Sequence, residues 1–151
     1  MLTDSDMPDG YSLTVSTADE LEICDAKNPE LGIGAVLQSG DVTFEIRTVD
    51  KISGDRETVR GSVLFDMMMR QFGIRVLSIT GIWYDGTNLD DLNRLSGSGL
   101  NLQEAAAQTW TGRQAARHGF TAVKLLEKIG SRAGMYPMAK FQFTRPATEA
   151  I

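Results

Sequence analysis

The chain has 151 residues, 42% hydrophobic and 23% charged, which is enough to bury one domain's core and excludes wholesale disorder. A single cysteine, Cys24, and a single histidine, His118, exclude an intramolecular disulfide, a zinc site of the usual nitrogen-and-sulfur kind and any scheme needing two histidines. No apolar run approaches the roughly 18 residues of a membrane span. The first 30 positions also lack the basic start and apolar core of a secretory signal peptide. No metal and no membrane contact are therefore expected.

The net charge of −5 is unevenly placed. Residues 1–30 carry eight acids against Lys27, and from Ala105 onward seven bases face only Glu127 and Glu149. The acidic arm suits a protein partner docking through residues 1–30, and the cationic half suits an anionic small molecule; a solvated surface would account for both. The overall acidity would argue against nucleic acid as a partner but sums two unlike regions, and a nuclease effector using the cationic half ranks last because the chain has one histidine and no clear metal-carboxylate cluster.

Residues 1–10, polar with Pro8 and a closing Asp9-Gly10, read as a flexible lead-in. Ser12 to Thr17 alternates like a strand. Ala18 to Asn28 reads either as a short acidic helix or as a strand. Ile33 to Leu37 and Val42 to Val49 form a predicted hairpin turned at Gln38–Asp41, and the charged stretch Lys51 to Arg60 is a predicted loop. A helix follows, with Ser62 as its expected N-cap, Phe65, Met68, Met69 and Phe72 as one apolar stripe, an Asp66–Arg70 pair, and Gly73 as its stop. Within it, Met67-Met68-Met69 reads as core rather than as an adaptable binding surface.

Ile74 to Tyr84 is apolar on both faces, as in a central strand covered on both sides. Thr87 with Asp90 signals a short helix to Leu95, and Ser96–Gly99 a flexible link. A second helix is predicted from an Asn101 cap to about His118, stopping at Gly119 with Phe120 folding back. Thr121 to Lys128 and Met138 to Thr144 are the closing strands, and 146–151 a tail. The order predicts one α+β domain over 11–145: a mixed, twisted sheet with two main helices packed on it.

Chemistry concentrates where both tryptophans lie. Trp83, Tyr84, Asn88, Trp110, Thr111 and Arg113 would line one ligand pocket if the 101–118 helix packs beside the end of the central strand. Gly112 implies a close approach at that turn, by a ligand or by packing. Arg60, Gly61 and Ser62 open the Met-rich helix with a cation, a glycine and a hydroxyl, as a phosphate site would. Acid–base groups are scarce: no catalytic residue is identified and His118 reads as a helix-end residue, while Glu45 and Arg47, on one face of their strand, would act as base and anchor on a pocket side and as a surface pair on a solvent side.

Two family resemblances attach to these residues. The order hairpin, Arg60-Gly61-Ser62 loop, helix, central strand, helix, Gly119-Phe120, strand, strand resembles the acyl-coenzyme-A-binding core of the GNAT acyltransferases. That likeness implies acyl-CoA as cofactor, with its pyrophosphate at the start of the helix. Arg60-Gly61-Ser62 keeps a fragment of the family's loop, and Ala115 stands where members often carry a tyrosine acid. The string from Ile79 through Trp83 to Leu89, with Glu104–Ala106 and Thr109-Trp110-Thr111-Gly112, resembles C-terminal domains of bacterial polymorphic, Rhs-type toxins over about Phe44 to Thr144. Together they imply a small bacterial domain that binds a nucleotide-type anion and transfers an acyl group if it is an enzyme. It would act in the cytoplasm, or as a delivered effector. The alternative is a non-catalytic binding or inhibitor protein that docks through its acidic N-terminal arm.

Overall fold

Ser39 and Gly40 turn the chain in the left-handed region, at φ of 51° and 81°, the geometry a two-residue hairpin requires. That turn sets β3 (Gly32–Gln38) against β4 (Asp41–Arg47), from the Gln38–Asp41 pair to the Gly32–Arg47 pair. The computed structural model describes residues 1–48 and 60–147. Most of the predicted loop 51–60 and most of the predicted tail lie outside those residues. Within them, seven strands and four α-helices make an α+β fold, and no helix is long and apolar enough to cross a membrane. The chain divides into two compact units, Met1–Val76 and Leu77–Ile151.

In the first unit, β1 (Tyr11–Ser16), β2 (Glu20–Asp25), β3 and β4 form an antiparallel meander. The ambiguous stretch 18–28 is a strand because Leu21 and Ile23 alternate with Glu20 and Glu22, so one face is buried and the other wet. Helix α1 (Gly61–Phe72) covers one face of this sheet. Its predicted stripe is the core: Phe65, Met68, Met69 and Phe72 are buried against Leu21, Ile23, Ile33 and Val42, and Phe65 meets Phe44 edge-on at 5.4 Å. Met67 is buried too, so the methionine run is packing. The helix begins earlier than expected. Arg60, not Ser62, is the N-cap, because the Leu64 amide already bonds the Arg60 carbonyl.

The first ten residues are a docked segment rather than a free lead-in. Leu2 is buried, and its amide donates to Gln71 Oε1 at 2.7 Å. Gln71, itself buried, donates to Ser16 Oγ and to the Thr17 carbonyl, while Ser16 Oγ donates to the Leu2 carbonyl. Arg70 reaches Asp6 at 2.9 Å. Composition registers the polarity of this segment but not the one leucine that anchors it.

In the second unit, β7 (Met138–Thr144) lies between β5 (Ser78–Trp83) and β6 (Ala122–Ile129), antiparallel to both. Every pair inside either unit is antiparallel. The parallel pair expected around α1 would have to join β4 and β5, one strand from each unit. Helix α2 (Gly86–Gly97) starts from Asp85 rather than Thr87. Its last turn includes Ser96, whose buried hydroxyl accepts from the Gly134 amide, so the expected link is shorter than Ser96–Gly99. The predicted helix 101–118 is two helices, α3 (Leu102–Ala107) and α4 (Trp110–Arg117). The break is made by Thr109, whose hydroxyl bonds back to the Ala106 carbonyl at 2.6 Å and accepts from the Gly112 amide at 3.1 Å. Such local side-chain bonds compete with a continuous helix. Asn101 caps α3 as expected, and its carboxamide also donates to Glu104. Gly119, at φ 88°, and Phe120 close α4 with paired bonds to the Ala116 and Ala115 carbonyls, and Phe120 is buried.

The Asp6 carboxyl is held below the usual aspartate range, first by the Thr3 amide, then by the Thr3 hydroxyl and the Arg70 charge. Because the native segment favours the ionised form, its contribution is complete above the free-aspartate pKa and is lost as pH falls through the lower native value. The protection factors of the Leu2 and Thr3 amides, corrected for intrinsic exchange, should therefore fall on acidification below about pH 4, relative to those of amides in β3. An equal fall everywhere would refute the local origin.

Candidate functional site

A helix N-terminus attracts anions when its first amides are free and no acid stands beside them. The four helices differ sharply by that criterion. Helix α2 has Asp85 as its N-cap, and α3 has an Asn101 cap with Glu104 in its first turn. In α4 the Gly112 amide is taken by Thr109 and the Thr111 amide by Asn88 Oδ1 at 3.0 Å. Helices α1 and α2 both lack a side-chain cap bond and an acid in the first turn, and of the two only α1 also lacks an acidic N-cap residue. The amides of Gly61, Ser62 and Val63 carry no partner among the described residues.

At that end, the Arg60 amide donates to the Tyr11 hydroxyl at 2.9 Å. This fixes the N-cap backbone to β1 and leaves the exposed Arg60 guanidinium unpaired among the described residues. Ser62 is the second helical residue, half-buried, with its hydroxyl in the first turn. Arg60, Gly61 and Ser62 thus stand together as expected, although Ser62 does not cap.

The second predicted cluster is partly drawn together. Asn88 on α2 and Thr111 on α4 clasp each other: Asn88 Nδ2 donates to Thr111 Oγ1 at 2.9 Å, and the Thr111 amide returns a bond to Asn88 Oδ1. Both polar groups of the Asn88 carboxamide are engaged in holding α4 to α2. Trp83 is a core residue; its indole lies back over Gly81 and packs on Phe141 at 5.4 Å. Tyr84 is 66% exposed, Arg113 is exposed and Trp110 is half-buried.

The close approach at Gly112 is made by protein. A Cβ there would stand 2.7 Å from the Ala107 carbonyl oxygen, at the end of α3. Ala115, where the acyltransferases often place a tyrosine, is wholly buried, and its carbonyl receives the Phe120 amide. His118 is the C-cap of α4. Among the described residues no group of three histidine, cysteine or acidic side chains could hold a metal ion.

Sequence reasoning passed over a trough on the outer face of the first unit's sheet, lined by Glu22, Glu30, Gly32, Gly34, Glu45 and Arg47 among others. Glu45 and Arg47, expected as base and anchor on a pocket face or as a surface pair on a solvent face, bond each other, Arg47 Nε to Glu45 Oε1 at 2.8 Å, both well exposed. The signal that could have found the trough is Gly34, a glycine set in an otherwise regular alternation of Ile33, Ala35, Val36 and Leu37. Comparison of the chain with protein-family models, with curated proteins and with solved structures finds no match.

Two substitutions test the structural reading of the second cluster. Gly112→Ala would ordinarily gain about 1 kcal/mol of helix propensity. Here it forces backbone against backbone, and a net loss of about 1–3 kcal/mol is expected in denaturant unfolding. Asn88→Ala leaves a Thr111 amide unsatisfied and should cost about 1–3 kcal/mol. A neutral result for both would reopen this turn as a ligand site.

Proposed function

We propose that the chain binds a phosphate-bearing, nucleotide-type ligand at the start of α1, with Arg60 neutralising charge and the Gly61 and Ser62 amides and the Ser62 hydroxyl receiving phosphate oxygens. The observation that carries this reading is the N-terminus of α1, with no side-chain cap and no acid in its first turn, beside an arginine that forms no ion pair among the described residues. A diphosphate suits that geometry because its several anionic oxygens can meet a fan of amides and a guanidinium together.

The resemblance of the chain order to the GNAT core is what supports acyl-CoA as the ligand: strands, α1, β5, helices, Gly119-Phe120, then β6 and β7. On this reading the protein is a small GNAT-like domain related to the bacterial polymorphic-toxin modules, cytoplasmic or delivered. Its reaction, if it has one, is acyl transfer. With alanine at 115, the proton transfers would fall to another group. Tyr84, Trp110 and Arg113 remain the second unit's exposed or half-buried candidates for ligand contact, while Trp83, Asn88 and Thr111 serve packing.

A second reading keeps the acidic residues 1–30 as a protein-docking surface. It is favoured by their order: they are built into β1, β2 and the docked segment, so Asp4, Asp9, Asp19 and Glu20 are presented on a fixed scaffold. They cannot be deleted without removing two strands, and charge-neutralising substitutions are the proper probe.

A thermal-shift titration with coenzyme A, acetyl-coenzyme A and ATP tests the leading reading. A ligand that binds only the folded chain stabilises it by about 2.7 kcal/mol at a hundredfold excess over its dissociation constant. A shift with the coenzyme A pair that disappears in Arg60→Ala is expected. No shift with any of the three would refute the phosphate site, and a shift unchanged by Arg60→Ala would move it away from α1.

A further inference from the structure

The outer face of the β1–β4 sheet carries a second feature, independent of the phosphate reading. Period-2 alternation sends Ile33, Ala35 and Leu37 to the helix-covered side, and Gly32, Gly34 and Val36 to the other. Across the strands, Glu22, Gly34 and Glu45 share one row, and Cys24, Gly32 and Arg47 the next. With no side chain at 32 or 34, the middle strand presents bare backbone between taller walls from β2 and β4. The result is an open trough of about 270 Å³, with the β2–β3 loop residue Glu30 also on its lining.

Its charge is one-sided. Arg47 is bound to Glu45 and lies within the field of Glu30, while the Glu22 and Glu30 carboxylates form no ion pair among the described residues. The unit around it, residues 1–76, carries 14 acids against seven bases, so the local field extends the same sign. Like charge repels nucleic acid and anionic lipid from this face.

We infer that this trough is a docking groove for an extended, lysine- or arginine-bearing segment of a partner polypeptide. The partner's backbone lies over Gly32 and Gly34, and its cationic side chains meet Glu22 and Glu30. A strand-width channel with a backbone floor admits an extended chain, and the unpaired carboxylates select its charge.

The glycine floor also supplies a test. A Cβ at Gly34 meets no atom within 4 Å, and its φ lies outside the left-handed region, so the side chain of Gly34→Leu starts into the open groove. Fluorescence anisotropy of a labelled hexalysine peptide is read against the full-length chain, with hexaglutamate as control and thermal midpoints taken for every variant. Saturable, salt-sensitive binding of hexalysine is expected. It should weaken at least tenfold in Gly34→Leu and in the double variant Glu22→Gln, Glu30→Gln, and persist in Asp9→Asn, Asp19→Asn, which removes equal charge elsewhere in the same unit. Absence of saturable binding overturns the proposal. So does binding unaffected by Gly34→Leu, or an equal loss in the Asp9, Asp19 variant, which would mark mere attraction to an acidic surface. Should Gly34→Leu fail to fold, the Glu22, Glu30 variant decides alone.

Discussion

One helix covers one face of one sheet in the first unit, and much else follows from that constraint. The apolar stripe of α1 buries Phe65, Met68, Met69 and Phe72 on the Leu21, Ile23, Ile33 and Val42 face of the meander. Each large side chain taken from water there contributes roughly 1.5–3 kcal/mol. Because the sheet's side chains alternate strictly, the same packing that hides one set of residues displays the other. The glycine-floored trough is therefore a by-product of the core.

The two units handle buried polarity differently. In the first, one buried amide side chain, Gln71, collects the Leu2 amide, the Ser16 hydroxyl and the Thr17 carbonyl. Burying an unsatisfied amide is costly, so this network is specific as well as stabilising. In the second, polar groups serve as joints between helices: Asn88 clasps Thr111, Thr109 interrupts what would be one helix, and Asn93 bonds both the amide and the carbonyl of Tyr136. The cluster that looks most like a binding pocket in the sequence, around Trp110-Thr111-Gly112, is dense because three helix ends converge there.

What was legible in the sequence was what periodicity and local capping encode. The α1 stripe, the Ser39-Gly40 hairpin, the Asn101 cap and the Gly119-Phe120 closure all depend on residues within a few positions of each other. Two features depended on partners far along the chain and a third on a break between helices, and none of them was legible. Leu2 looked like part of a polar lead-in until Gln71 was placed beside it. Thr111 looked available until Asn88 took both its groups. Gly112 signalled a close approach correctly, but the approaching atoms, the carbonyls ending α3, come from a helix break that the pattern reads straight through. The Arg60, Gly61, Ser62 grouping was legible as the start of the helix, while the bond that ties its N-cap to the Tyr11 hydroxyl is supplied only by the fold.

The Leu2–Gln71 bond also has a consequence in time. Its partners are 69 residues apart, so a chain emerging at about 5–20 residues per second presents Leu2 several seconds before the residue that receives it. Through that interval the meander can form its local hairpins, since β1–β2 and β3–β4 need only near neighbours. Its first residues and its apolar face nevertheless stay uncovered until α1 is made. During synthesis the vulnerable species is thus a bare, half-amphipathic sheet, and the step that ends its exposure is the docking of a single helix.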